Sequence, residues 1–178
     1  MGWHAFFIWP SELLQRAPGL AVSQLNDSDT AMKPITKILV PVDFSVHASE
    51  AVRFAADMSR RYDASLELLH VFHVTTYALP EGHVVPSDEQ LQHVMKEIES
   101  QLAAAKHAAV EAGARSVQTT LVQGGVTTEI LRFAKDRECD LIVMGTHGRT
   151  GMKHLLMGSV AEQIVRVAAC PVLTLRAS

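Results

Sequence analysis

The chain has 178 residues, of which 48% are hydrophobic and 20% are charged, a composition typical of one globular domain with a sizeable core. Its 16 basic and 19 acidic residues give a formal net charge of −3, and the basic residues form no cluster. Nucleic acid is therefore not expected as a partner, because binding a phosphate backbone needs a concentrated positive field.

The first 31 residues differ in character from the rest of the chain. Residues 1–10 are aromatic and apolar, but they lack the basic start and long apolar core of a signal peptide. No stretch of the chain reaches the roughly 20 apolar residues of a membrane span. Met32 directly precedes the segment that leads into the first predicted strand. We expect residues 1–31 to be a poorly ordered extension or a misassigned start, with a packed or membrane-touching appendage as the alternatives, and residues 32–178 to be the domain.

The sequence contains no recognisable pattern for a metal site or a disulfide framework. The two cysteines, Cys139 and Cys170, form neither a disulfide framework nor a zinc-binding pattern, which fits a reducing cytoplasm. Nine histidines are present, but none belongs to a known ligand motif. We expect a cytoplasmic protein with no membrane partner and no dedicated metal site, and we assign no role to the histidines as a group.

Strands and helices alternate from residue 38 onward. Short apolar runs predict strands at residues 38–42, 66–72, 117–122, 141–144 and 172–175. Apolar residues at three- and four-residue spacing predict helices that follow Ser45, span 91–113, span 126–137 and span 159–168. Residues 75–86 contain two prolines and a glycine and predict a loop. The alternation predicts an α/β fold with a doubly wound, five-stranded parallel sheet.

A glycine-rich segment lies between the fourth predicted strand and the last helix. It begins with Gly145-Thr146-His147-Gly148 and ends, nine residues later, with Gly158-Ser159. Backbone N–H groups at a helix start are unpaired and carry the positive end of the helix dipole, which favours phosphate. Glycines let the main chain approach a ligand and adopt positive φ angles. The segment predicts a phosphate-binding loop; the alternative is a flexible crossover in which Ser159 is an ordinary cap.

The spacing Gly145-x-x-Gly148-x9-Gly158-Ser159 resembles the ATP-binding motif of the universal stress protein family. The first and last predicted strands also resemble those of the family, so the resemblance covers residues 33–176. It implies a Rossmann-like sheet of the adenine nucleotide alpha hydrolase type, with strand order 3-2-1-4-5. It further implies ATP as the ligand, with Mg²⁺ carried by the phosphates, and a homodimer that forms through the edge strand between Val172 and Leu175.

This strand order predicts where a ligand binds. In open parallel sheets the site lies beyond the carboxyl ends of the strands, where the winding reverses. With order 3-2-1-4-5, that point lies between the first and fourth strands. Asp43, after the first strand, and Gly145, after the fourth, are therefore expected to meet in one crevice although they are far apart in the sequence.

The resemblance implies a nucleotide contact at each matching position. Main-chain groups of the glycine-rich segment would bind the phosphates, and the main chain of Met144 would contact the ribose. Pro41 and Val42 would form a wall for the base, and the backbone of Val71 would bind the adenine edge. The expected nucleotide contacts are Pro41, Val42, Asp43, Val71, Met144, Gly145, Gly148, Arg149, Gly158, Ser159 and Val160.

Some of these side chains have alternative roles. Asp43 could accept hydrogen bonds from the adenine or ribose, or it could cap the following helix together with Ser45. Arg149 and Lys153 could neutralise phosphate charge or form a solvated loop face. His147 could contact a phosphate or serve as a spacer between two glycines.

The sequence favours nucleotide binding over catalysis. It contains no Gly-x4-Gly-Lys-Ser/Thr loop, no Gly-x-Ser-x-Gly elbow and no kinase signature, and we assign no catalytic residue. We expect an ATP-binding universal stress protein that acts in the stress response as a nucleotide-dependent regulator or sensor, with slow or no hydrolysis. A slow ATPase or phosphotransferase, and a dimeric scaffold that works without nucleotide, are the alternatives.

Overall fold

The structure is a computed structural model that describes residues 4–8, 33–73, 77–79, 82–84, 87–148 and 157–176. The strands within these residues are His4–Ile8 (β1), Lys37–Pro41 (β2), Ser65–Phe72 (β3), Tyr77–Leu79 (β4), Gly82–Val84 (β5), Val117–Gln123 (β6), Leu141–Gly145 (β7) and Val172–Arg176 (β8). The helices are Val46–Tyr62 (α1), Asp88–Glu111 (α2), Val126–Asp136 (α3) and Ser159–Val167 (α4). None of these four helices combines the length and the apolar character needed to cross a membrane.

Five parallel strands form the centre of the domain, in the order β6-β3-β2-β7-β8. Numbered as the five predicted strands, this order is 3-2-1-4-5, so the predicted fold is confirmed. The chain leaves β2 toward β3 on one side, and it leaves β7 toward β8 on the other. The winding of the sheet therefore reverses between β2 and β7, which is where such sheets bind ligands.

Successive residues of the central strands face two different hydrophobic cores. In β2, Ile38 and Val40 belong to the core that includes residues of α1 and α2, whereas Leu39 belongs to the core that includes residues of α3 and α4. This division follows from the two-residue period of a strand. All three side chains are fully buried, which explains why the strand is a continuous apolar run in the sequence.

Two features of the fold differ from the expectations. Within the predicted loop, β4 and β5 form an antiparallel hairpin, so the loop prediction was wrong there. Within the expected extension, β1 pairs with β8 in antiparallel orientation, from His4 opposite Arg176 to Ile8 opposite Val172. The main sheet therefore has six strands. Residues 9–32 lie outside the described residues, and a native start at Met32 stays a prediction.

Asp140 ties together the amino-terminal ends of β2 and β7. Its Oδ2 atom accepts hydrogen bonds from the Thr36 N–H (2.9 Å), the Thr36 hydroxyl (2.7 Å) and the Lys37 N–H (3.1 Å). Its Oδ1 atom lies 2.6 Å from Lys33 Nζ, and only 3% of the side chain is exposed. Burial by itself would raise the pKa of this carboxyl, but the Lys33 ammonium and the Thr36 donors outweigh burial and lower the pKa to about 2.

We predict that Asp140 makes the stability of the fold sensitive to acid. Because its folded pKa of about 2 lies below the ordinary value of 3.8, its stabilisation is present above the ordinary value and is lost as the pH falls toward the folded value. Across that range, the free energy of unfolding measured with urea should fall by about 2 kcal/mol more in the wild type than in Asp140→Asn.

The matched control for this prediction is Asp57→Asn. Asp57 pairs with Arg60 and Arg61 on the surface of α1, and 41% of its side chain is exposed, so solvent screens the pair. The control variant should lose stability in acid as the wild type does. Equal pH dependence in the wild type and Asp140→Asn would contradict the prediction.

Candidate functional site

A cavity of about 280 Å³ lies where the winding of the sheet reverses. Its lining comes from the carboxyl ends of β2, β3 and β7 and from the first turns of α3 and α4. This volume is close to the lower end of the range for small-molecule sites, roughly 300–1,000 Å³. The cavity occupies the position at which a doubly wound parallel sheet binds its ligands.

The side of the cavity formed by β2, β3 and α3 is apolar. Val42, Leu69 and Ile130 line it and are 5%, 1% and 2% exposed. Val71 and Val126 line it as well, and we call these five residues the apolar wall. Because a ring system placed against this wall would lose its contact with water, the wall suits an aromatic or heterocyclic group.

Another part of the cavity lining is formed by the start of α4 and the end of β7. Gly158 is the N-cap of α4, with φ −74° and ψ 154°, and no side chain caps the helix there. The Glu162 N–H donates to the Gly158 carbonyl, so the three amides before Glu162 precede the first intrahelical bond. Ser159, Val160 and Ala161 carry these amides and line the cavity, and we call this segment the amide wall. It offers hydrogen-bond donors and the positive end of a helix dipole to an anion.

Thr146 determines where the amide wall lies. Its carbonyl accepts a hydrogen bond from the Gly158 N–H (2.7 Å), and its own N–H donates to the Leu175 carbonyl (2.8 Å). Thr146 is 3% exposed. These bonds join the two ends of the glycine-rich segment and fix the start of α4 against β7 and β8.

Gly145 and Gly148 are needed because neighbouring atoms leave no room for a side chain. A Cβ atom on Gly145 would lie 2.8 Å from the His47 Cβ. A Cβ atom on Gly148 would lie 2.5 Å from the Asp43 Oδ2. Among the described glycines, positive φ angles occur at Gly113 and Gly124, so the prediction of positive φ was wrong for Gly145, Gly148 and Gly158. Glycine at positions 145 and 148 instead allows the main chain to pack closely against its neighbours.

Asp43 contacts both the cavity and the start of α1. Its Oδ1 atom accepts hydrogen bonds from the Ser45 N–H (3.1 Å) and the Ser45 hydroxyl (2.6 Å). Ser45 Oγ in turn accepts from the Ala48 N–H and caps α1. The capping role considered for Asp43 is therefore present, and the same side chain also lines the cavity and approaches Gly148 through Oδ2.

A strained residue holds the turn that carries Asp43. Phe44 has a φ of 63°, which is rare for a bulky side chain. Its ring stacks on the imidazole of His70, with centroids 4.4 Å apart. The His70 Nδ1–H donates to the Val42 carbonyl over 2.6 Å, an assignment that follows because the carbonyl can only accept. No local sequence pattern predicts this contact, since it joins residues that are 28 positions apart.

Two histidines lie beside the amide wall. The ring centroids of His47 and His147 are 5.9 Å apart. His147 Nδ1 lies 3.0 Å from the Thr146 hydroxyl, and His147 lines the cavity. His47 Nδ1 is buried without a hydrogen-bond partner among the described residues. From the sequence, His147 was a candidate phosphate contact or a spacer, whereas His47 was missed.

The structure brings most of the expected contact residues together. Arg149 and Lys153 lie outside the described residues. Leu69, Val126 and Ile130 line the cavity but were missed, although the four-residue spacing of Val126 and Ile130 marks one face of α3. The expected contacts that line the cavity are Pro41, Val42, Asp43, Val71, Met144, Gly145, Gly148, Gly158, Ser159 and Val160.

The described part of the chain contains no group of three or more His, Cys, Asp or Glu side chains that could hold a metal ion.

These features define a class of protein: a doubly wound α/β domain with a cavity at the point where the winding of the sheet reverses. Both the apolar wall and the amide wall line that cavity. The sequence model of the universal stress protein family matches residues 34–176. The chain therefore belongs to the universal stress protein family. Universal stress protein MJ0531 of Methanocaldococcus jannaschii is 36% identical over 143 residues, which are 79% of this chain and 81% of the relative.

Solved structures agree with this assignment. The hypothetical protein MJ0577 has a TM-score of 0.68 and 26% identity, and the match covers 82% of this chain and 99% of that one. A universal stress protein in complex with cAMP has a TM-score of 0.64 at 21% identity, covering 82% of this chain and all of the other. The Archaeoglobus fulgidus protein in complex with dAMP has a TM-score of 0.59 at 23% identity, covering 80% and 99%. At these lower identities the likeness concerns the fold alone.

Proposed function

We propose that this chain binds ATP in the cavity and acts in the stress response as a nucleotide-dependent regulator or sensor. The observation that carries the proposal is the uncapped start of α4, whose first turn lines the same cavity as Asp43 and the apolar wall. One side of the cavity thus suits phosphate and the other suits a purine. The family relationship and the cAMP and dAMP bound by two proteins of this fold make an adenine nucleotide the first ligand to test.

The phosphates would lie against the amide wall. The N–H groups of Ser159 and Val160 would donate to phosphate oxygens, and the Ser159 hydroxyl would add another donor. Gly145 and Gly148 would let the main chain approach the same oxygens. Mg²⁺ would arrive with the nucleotide and be held mainly by phosphate and water oxygens. Arg149 stays an expected cation for the phosphate tail.

The adenine and ribose would occupy the other side of the cavity. Pro41 and Val42 would cover one face of the base, and the backbone of Val71 would bind its edge. The main chain of Met144 would contact the ribose. Asp43, which lines the cavity, would accept hydrogen bonds from the ribose hydroxyls or the adenine.

We favour regulation over rapid turnover because the described side chains suit binding better than chemistry. Phosphoryl transfer needs a metal, a cationic clamp and an oriented nucleophile. Asp43 bonds to Ser45 through Oδ1, and His147 Nδ1 lies within hydrogen-bond distance of the Thr146 hydroxyl. Bound ATP would then act by favouring one conformation or one partner over another.

We also propose a cytoplasmic location and a homodimer that forms through β8. Cys139 and Cys170 are both free thiols, which fits a reducing compartment. The residues of β8 from Val172 to Leu175 are nearly fully buried, and an apolar edge strand of this kind needs a partner. In the structure β1 covers that edge, so the dimer requires β1 to leave it.

The amide wall can be tested with the double variant Gly158→Ala/Ser159→Ala. The new methyl group would lie 3.2 Å from the Thr146 carbonyl oxygen and crowd the helix start, and the second change removes a hydroxyl donor. We expect calorimetry to show ATP affinity about ten-fold or more weaker, with an unchanged circular dichroism spectrum. Gly125→Ala is the matched control, because Gly125 is also an N-cap without a side-chain bond and its added methyl meets only ordinary contacts. Unaltered ATP affinity in the double variant would contradict the proposal.

Asp43 allows its two roles to be separated. Asp43→Asn keeps the Oδ1 acceptor for Ser45 but replaces the other carboxylate oxygen with an NH₂ donor, so ATP affinity should fall about ten-fold while stability changes little. Ser45→Ala should do the reverse, since it removes the cap of α1 and costs about 1 kcal/mol while affinity is kept. Calorimetry and urea unfolding measure the two effects. If Asp43→Asn bound ATP as tightly as the wild type, Asp43 would be only a capping residue.

The regulatory interpretation predicts slow chemistry. In single-turnover reactions with ATP and Mg²⁺, we expect a hydrolysis rate well below the roughly 1 s⁻¹ at the lower end of typical enzymes. Omitting Mg²⁺ serves as the control for metal-dependent cleavage. A rate at or above that value would instead make turnover the function.

A further inference from the structure

β1 covers the whole outer edge of β8. The carbonyls of Pro171 and Leu175 accept hydrogen bonds from the Ile142 N–H and the Thr146 N–H, so these two residues face β7. Backbone groups of successive strand residues alternate in direction, and therefore Val172, Thr174 and Arg176 direct their N–H and C=O groups away from β7. The residues opposite these three in β1 are Ile8, Phe6 and His4.

The same outward groups would pair β8 with a second copy of this chain. Two β8 strands related by a two-fold axis at Thr174 would place Thr174 opposite its own copy and Val172 opposite Arg176. Every outward-facing residue would then meet an outward-facing residue, as an antiparallel ladder requires. β1 occupies this register, with Phe6 opposite Thr174. A second β8 strand and β1 cannot bind the edge at the same time.

We propose that β1 is an intramolecular cap on the β8 edge, which keeps the full chain monomeric until the cap is released and a second copy takes its place. The occupant is a second copy because β8 is complementary to itself in the register that β1 uses. The edge does not stay open in either state, which avoids unregulated strand pairing.

β1 is separable from the domain that it covers. The family match begins at residue 34, and a solved neighbour that is 99% covered corresponds to 82% of this chain, so proteins of this fold are complete without such a segment. β1 is a five-residue strand at the edge of the sheet and pairs on one side. The free energy needed to detach an edge strand of this kind from its sheet is lower than that needed to unfold the core. A chain that began at Met32 would lack the cap and keep the edge.

This inference rests on the proposed dimer and is independent of nucleotide binding. Measuring ATP affinity on the same samples distinguishes a failure of the cap proposal from a failure of the nucleotide proposal. An uncapped chain that binds ATP and stays monomeric would overturn the cap while leaving the nucleotide proposal standing.

The test compares molecular masses by sedimentation equilibrium. Phe6→Pro/Ile8→Pro removes two N–H donors that face β8, whereas the control Ala5→Pro/Phe7→Pro removes two that face away from it. The wild type and the control should sediment at the monomer mass of 19.5 kDa. The Phe6→Pro/Ile8→Pro variant should sediment at twice that mass, and a chain that begins at Met32 should sediment at twice its own, smaller monomer mass.

A further substitution tests whether the uncapped chain dimerises through the outer edge of β8. Thr174→Pro removes an outward donor from β8 and leaves the bonds to β7 in place, so adding it to the uncapped chain should restore the monomer. In the monomeric wild type, the Thr174 amide should exchange with deuterium slowly, and dilute uncapped protein should lose that protection. The same oligomeric state for the wild type and both uncapped forms, or an uncapped dimer unaffected by Thr174→Pro, would overturn the proposal.

Discussion

The hydrogen bond from the Gly158 N–H to the Thr146 carbonyl, 2.7 Å long, fixes the residue at which α4 begins. Thr146 cannot move freely, because it is buried and its own N–H is bonded to Leu175 in β8. The start of α4 is thus set by the pairing of β7 with β8. With no side chain capping the helix, its first amides are directed to the point where the sheet changes its winding.

The second segment of the site is positioned by different interactions. Asp43 follows β2, and its Oδ1 atom is held by Ser45 at the start of α1. Phe44 adopts its unusual positive φ angle while stacked on His70, which also bonds to the Val42 carbonyl. The strain is localised in a turn beside the cavity, where the surrounding structure determines the conformation. Two segments far apart in the sequence therefore line one cavity.

Apolar runs and the spacing of apolar residues predicted the helices and the strands of the parallel sheet. The apolar runs of β2 and β7 and the spacing of the helices predicted the parallel sheet, and the described ends of the glycine-rich segment line its cavity. Pairing between distant residues was not predictable in this way. β1 is a strand because β8, at the other end of the chain, offers an edge, and Phe44 tolerates a positive φ because His70 lies against its ring. Gly145 and Gly148 line the cavity, and close packing against His47 and Asp43 accounts for glycine at these two positions.

The central claim is that amides at the start of α4 bind the phosphates of ATP. It can be tested directly by recording the backbone amide NMR spectrum of the protein while ATP is added. The account predicts that the largest shifts occur at Ser159, Val160 and Ala161, together with Gly145 and Gly148, which line the same cavity. If these resonances stayed in place, whether others moved or none did, the claim would be contradicted.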